Sequence, residues 1–135
     1  ITNGAVPNGT IMAFQVVEKD GKISAEPVWT GNNMIMPDPP VVANGVVYAL
    51  STGGQALQNY NKLGGPRLPW PVSAVLRSTP VDNMKLYAYD AETGKQLFDS
   101  GKTLPNWVHF SEPVVALGKV YVVTHDAHVI ALGLK

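Results

Sequence analysis

The feature of this sequence that most constrains its fold is a segment that recurs along the chain. Ala88 and Ala131 occupy matching places in two copies and lie 43 residues apart. Pro40 and Pro113 give the same spacing once residues 55–84, which have no counterpart, are left out. A fixed period of this length indicates an array of similar small sheets. The matching segments are PVVANGVVYAL at 40–50, PVVALGKVYVV at 113–123, LYAYDAETGKQLFDSG at 86–101 and a looser copy of the last at 11–31.

The period also predicts the kind of sheet. A unit of about 40–45 residues is the size of one four-stranded β-propeller blade, and closed propellers have about 4–8 blades. The sequence therefore predicts an all-β fold of four-stranded antiparallel sheets, arranged as a partial β-propeller. We expect remaining blades of the same propeller, or another copy of the chain, to cover the open end faces. We expect residues 1–135 to be the C-terminal part of one propeller domain, with repeats at about 11–54 and 85–127, a final strand at 128–135 and an insertion loop at 55–84.

Composition excludes several classes of partner and site. Ten Lys and Arg residues balance ten Asp and Glu residues, so the net charge is zero. Nucleic acid is therefore not an expected partner, because binding it requires a basic surface. No apolar run reaches the length of about 18 residues that a transmembrane helix needs. The sequence has no cysteine, which excludes disulfides and thiolate metal sites in this segment.

Turn residues divide the chain into short predicted strands. Asn44-Gly45 lies between two apolar runs and predicts a hairpin with a type I′ turn, and Leu117-Gly118 occupies the same place in the next copy. Pro27 marks a strand edge or a bulge. The insertion at 55–84 reads as a long loop without a helical apolar period. Its aromatic and arginine side chains are candidate anchors of a binding loop. They are Tyr60, Arg67, Trp70 and Arg77.

One motif in the repeat has a clear physical basis. Asp90 is placed to begin a tight turn by accepting a hydrogen bond from the backbone downstream, and Gly94 can adopt the left-handed conformation that closes it. Phe98 lies on the returning strand, where its ring can pack against a small residue of a neighbouring blade. The full motif is Ala88-x-Asp90-x-x-Thr93-Gly94-Lys95-x-x-Phe98.

This motif resembles the tryptophan-docking motif of the quinoprotein (PQQ-like) β-propeller repeat family. Phe98 stands where that family usually has Trp. In the first copy Ala13 and Trp29 match the motif, with Gly21 and Lys22 in the turn and Gln15 in place of the Asp. A docking motif recurs in every blade, whereas a cofactor binds once per propeller. The resemblance therefore implies that these residues hold blades together.

Histidines and carboxylates near the C-terminus raise the question of a metal site or of acid–base catalysis. His125 and His128 are three residues apart and would face opposite sides of a strand, although a turn could bring them together. His109, Glu112 and Asp126 are the candidate acid–base groups, and no G-x-S-x-G nucleophile pattern accompanies them. A solvated turn is the default interpretation of 125–128, so we predict neither catalytic nor metal-binding residues here.

The resemblance leaves two functional hypotheses. The first is a non-catalytic propeller segment that acts as a scaffold or binding module in the cell envelope, periplasmic or secreted, with no cofactor in this segment. The alternative is part of a PQQ-dependent alcohol or sugar dehydrogenase, which implies PQQ and a calcium ion on the propeller axis. If Phe98 is a stacking residue, we expect Phe98→Ala to cost about 3–5 kcal/mol through the cavity that it leaves.

Overall fold

The computed structural model describes residues 8–54 and 68–133. Three antiparallel sheets and one helix occupy this part of the chain, which confirms the prediction of an all-β fold. The sheets comprise β1 (Met12–Lys19) and β2 (Lys22–Thr30); β3 (Val41–Ala43), β4 (Val46–Ser51), β5 (Lys85–Asp90) and β6 (Gln96–Asp99); and β7 (Val114–Ala116), β8 (Lys119–Val123) and β9 (Val129–Gly133). The helix α1 (Trp70–Arg77) lies between β4 and β5.

The sheets do not begin and end where the sequence repeats do. The four strands from β3 to β6 hydrogen-bond in chain order to form one complete four-stranded sheet. The repeat at 11–54 therefore supplies the two strands of the first sheet and the first two strands of the second. The repeat at 85–127 divides in the same way between the second and third sheets. Each repeat thus ties two consecutive sheets together covalently.

The two outer hairpins share one pairing pattern. Ala13 pairs with Trp29 in the first sheet, and Ala88 pairs with Phe98 in the second. A shift of register follows immediately after each pair, and in the first sheet it lets Phe14 pair with Pro27. A bulge at this point bends the strand and turns the large ring out of the ladder. Trp29 and Phe98 are therefore structurally equivalent residues.

Two apolar cores hold the three sheets against one another. Side chains alternate along β5, so Tyr87 and Tyr89 face the first sheet while Leu86 faces the third. The inner strands β4 and β5 of the second sheet are consequently covered on both faces, whereas β6 at its edge is exposed. The first core comprises Ile11, Trp29, Met34, Val47, Ala49, Tyr87 and Tyr89, and the second comprises Leu50, Met84, Leu86, Leu104, Val108, Val120 and Val122.

Tight turns and long connections lie at opposite ends of the strands. Asn44 and Gly45 have φ of 51° and 73°, as the predicted type I′ turn requires, and Leu117 and Gly118 adopt nearly the same angles, 50° and 71°. The longer connections meet at the other end, where Val108 N donates to Thr52 O at 3.1 Å and His125 N donates to Trp107 O at 2.8 Å. We call this end the loop face, made of residues 31–40, 52–54, 68–84, 100–113 and 124–128.

The helix α1 corrects the expectation that the insertion is an irregular loop. The two prolines of Pro69-Trp70-Pro71 are typical of a loop, but Pro71 falls in the first turn of the helix. Proline is tolerated there because the first amide groups of a helix have no intrahelical acceptor. Within the described ranges, no helix is long and apolar enough to cross a membrane.

Candidate functional site

Trp29 forms the main contact between the first and second sheets. Its indole is 8% exposed and lies against the backbone of Gly94, where an added Cβ would come within 2.5 Å of the indole Cγ. The indole Nε1–H donates to the carbonyl of Ala91 at 3.0 Å, and the ring stacks on Tyr89 with centroids 5.7 Å apart. Only glycine fits at position 94, because the ring occupies the space of a side chain.

The turn that receives Trp29 is shaped by the remaining motif residues. Asp90 Oδ1 accepts hydrogen bonds from the Thr93 amide at 2.8 Å and the Thr93 hydroxyl at 2.7 Å. These bonds hold the pKa of Asp90 below its ordinary value. Gly94 has φ of 70° and donates its amide to the Asp90 carbonyl at 2.9 Å. Asp90 therefore fixes the turn. The backbone carbonyl of Lys95 also accepts a hydrogen bond from the Asp90 amide at 2.9 Å.

Phe98 occupies the equivalent position in a different environment. It is 44% exposed and borders an apolar groove of about 470 Å³ between the second and third sheets. At the 43-residue spacing, Gly133, the last described residue, occupies the place of Asp90. The exposure of Phe98 lowers the cost that the sequence suggested for its removal. The apolar side chains lining this groove include Leu86, Leu104, Val120, Ile130 and Leu132.

Asp38 joins two consecutive repeats on the loop face. Its carboxylate Oδ2 accepts a hydrogen bond from the Ser111 amide at 2.9 Å. The two residues are 73 positions apart, the same separation as Pro40 and Pro113, so they are equivalent residues of neighbouring repeats. Asp38 is 7% exposed, and burial raises the pKa of its carboxyl while the Ser111 amide opposes that shift.

His109 lies two residues before Ser111 in a stack of rings. Its imidazole packs edge-on against Trp107 at 5.0 Å and stacks on Phe110 at 5.3 Å. An added Cβ at Gly54 would come within 2.9 Å of the imidazole Cε1, so the ring rests on the backbone of that loop. Both ring nitrogens are buried and have no hydrogen-bond partner in the described part of the chain. Burial lowers the pKa of His109, and the nearby Arg77 backbone and Asp38 partly oppose this shift.

Of the residues that the sequence raised as metal ligands or acid–base groups, the structure pairs Asp126 with His128 and places His125 in a different contact. His128 Nδ1 lies 3.1 Å from Asp126 Oδ1, and the Thr124 hydroxyl also donates to that carboxylate. These contacts, with that from Thr124 first, lower the pKa of Asp126 to about 2. His125 instead stacks on Trp107 at 4.2 Å. Across residues 8–54 and 68–133, no three His, Cys, Asp or Glu side chains are placed to share a metal ion.

The structure describes two of the four binding-loop candidates, Trp70 and Arg77. Trp70 is 70% exposed at the start of α1, and the Arg77 guanidinium lies over the Phe110 ring at 5.8 Å. Tyr60 and Arg67 lie outside the described residues. Sequence reasoning did not identify Asp38 or Trp107 as site residues. The available signal for Asp38 was its place in the repeat, which it shares with Ser111.

Comparison with known proteins gives one family. The family model PQQ_2, described as outer membrane protein assembly factor BamB, matches residues 43–135. Neither the curated proteins nor the solved structures contain a match to the chain. The matched range includes the third sheet and all of the second sheet except Val41 and Val42 at the start of β3.

Proposed function

Because this chain belongs to the PQQ_2 family, described as outer membrane protein assembly factor BamB, we propose that it is a non-catalytic β-propeller module of the cell envelope. In this role it acts in the periplasm, or outside the cell, as a scaffold or binding module. The family name supports an envelope role, since it refers to the assembly of outer membrane proteins. A propeller fold alone does not determine function, so the proposal rests on how this chain uses its motif residues.

The observation that carries the proposal is the contact of Trp29 with the next sheet. The indole, its N–H group and the facing Gly94 are all engaged between two sheets. Asp90 and Thr93 are engaged in the turn that presents the Ala91 carbonyl. These side chains support a docking role, because the indole N–H, Asp90 Oδ1 and the Thr93 hydroxyl all make their hydrogen bonds within the chain.

The outer face of the first sheet supports a role in assembly. Met12, Phe14 and Val16 alternate along β1 on the side away from Ala13, and Phe14 and Val16 are 53% and 73% exposed. Tyr87 and Tyr89 occupy the matching positions of the second sheet, where the first sheet covers them. A face of this kind binds another blade, supplied by the rest of the propeller or by another copy of the chain.

Sizing of the purified chain by light scattering, with and without PQQ and calcium, tests both parts of the proposal. We expect association through the outer face and no saturable change of PQQ absorbance. Phe14→Asp should abolish association, whereas Ser24→Asp, an exposed change on β2, should leave it intact. Saturable PQQ binding would instead support the dehydrogenase alternative. A wild-type chain that stays monomeric at all concentrations would contradict the assembly role.

A further inference from the structure

The loop face contains a joint between consecutive repeats that is built around a half-buried histidine whose two ring nitrogens are buried. The Ser111 amide of one repeat donates to the Asp38 carboxylate of the preceding one. The His109 ring rests on the Gly54 backbone, and Val108 N donates to Thr52 O in the same connection. Rotating the His109 ring away would therefore release contacts on both sides of the joint.

The surroundings of His109 suit the neutral imidazole and not the cation. A protonated imidazole has two N–H donors, and neither ring nitrogen has a partner or contact with solvent in the described residues. A buried donor without an acceptor is unfavourable, and a buried charge more so. The charged groups around the joint are mixed. After burial, which disfavours the cation, the Arg77 backbone and Asp38 favour it, the Arg77 guanidinium and His125 disfavour it, and Glu112 acts on Asp38.

We propose that the Asp38–Ser111–His109 joint is a pH-sensitive clasp that opens when His109 accepts a proton. In the closed form the neutral ring is held against Gly54 and Trp107. In the open form the imidazolium leaves this site and is hydrated, and the Ser111 and Val108 amides lose protection. Opening loosens the loop face while the Trp29 contact, at the outer part of the sheets, stays intact.

The proton balance gives the direction of the effect. A solvent-exposed histidine has a pKa of about 6.5, whereas burial lowers the pKa of His109 in the closed form. The open form therefore binds more protons below about pH 6.5. The stability that neutral His109 gives the clasp is complete above that pH and is lost as pH falls through the lower pKa of the closed form.

Asp38 acts with the opposite sign. Burial raises the pKa of its carboxyl in the closed form, so its contribution is present at low pH and is lost as pH rises through that raised value. Asp38→Asn keeps an oxygen that can accept the Ser111 amide and removes the charge that favours the His109 cation. This variant should lower the pKa of His109 further. The pH range over which the clasp opens should therefore extend to lower values.

Hydrogen exchange from pH 8 to pH 5 tests the clasp in the full chain. After correction for intrinsic rates, exchange at Ser111 and Val108 should rise by up to about tenfold per pH unit below pH 6.5. The Ala91 amide, bonded to Gly45 O at 2.9 Å at the opposite end of the strands, serves as the reference and should not change. His109→Gln should remove the rise, and His128→Gln should keep it.

A second measurement covers the case in which His109→Gln does not fold. The imidazole resonances of wild type should give a pKa below 6.5 for His109, and Asp38→Asn should lower it. A wild-type His109 pKa at or above 6.5, or a rise in exchange that survives in His109→Gln, would overturn the proposal. Equal rises at Ala91 and Ser111 would also overturn it, because they would indicate global unfolding.

Discussion

The equivalence of Trp29 and Phe98 leads to a quantitative prediction about blade docking. Both rings pair with an alanine next to a bulge, but Trp29 is 8% exposed and Phe98 is 44% exposed. Replacing a buried Trp by Ala costs about 3–5 kcal/mol through lost burial and the cavity. Full burial of a Phe contributes about 1.5–3 kcal/mol, so removing the half-buried Phe98 should cost roughly 1–1.5 kcal/mol.

Urea unfolding of Trp29→Ala and Phe98→Ala measures this difference. We expect the free energy of unfolding to fall by about 1.5–4 kcal/mol more for Trp29→Ala, with similar m-values in both variants. Trp29→Phe separates the ring from its N–H group, since it loses only the hydrogen bond to Ala91 O and part of the stacking. Equal costs for the two Ala variants would show that the facing turn at Gly94 does not stabilise the ring. A cost below about 1 kcal/mol for Trp29→Ala would refute the docking role itself.

Two further predictions concern single turns of the structure. In urea unfolding, Gly94→Ala should lower the free energy of unfolding by about 1–3 kcal/mol more than Gly118→Ala. Both glycines have φ near 70°, but only Gly94 faces Trp29. Equal costs for the two variants would contradict the close contact between Gly94 and Trp29. Thr124→Val should raise the pKa of Asp126 from about 2 toward the ordinary value, since the Thr124 hydroxyl is the main cause of the shift. The pKa of Asp126 can be measured by NMR titration of its carboxyl group. A pKa that stays at about 2 in Thr124→Val would contradict this prediction.

The sequence predicted the strands and their class because the repeat constrains both. The hairpin at Asn44-Gly45 followed from turn chemistry, and the membership of a PQQ-type repeat family followed from the Ala88 to Phe98 motif. The division of the chain into sheets was not predictable in the same way. A periodic sequence gives the length of the unit, but strand pairing decides which residue begins a blade, so 11–54 and 85–127 each span two sheets.

The loop face was the least predictable part, for two physical reasons. The helix α1 was not predicted because Pro69 and Pro71 are typical of a loop. A proline in the first turn is nevertheless compatible with a helix. The Asp38 contact was hidden because it joins residues 73 positions apart through a backbone amide, which has no side-chain signature. Burial of His109 likewise depends on Gly54, a residue of another connection.

The two inter-sheet contacts differ in how they respond to conditions. The Trp29 contact consists of an indole, a glycine and a carbonyl, none of which titrates near neutral pH. The joint at Asp38 and His109 contains a buried carboxyl and a half-buried imidazole, whose pKa values move in opposite directions. Acid can therefore act on the loop face while leaving the outer docking contact unchanged. If the chain is the envelope scaffold that we propose, acid would change the surface that it offers to partners without separating its blades.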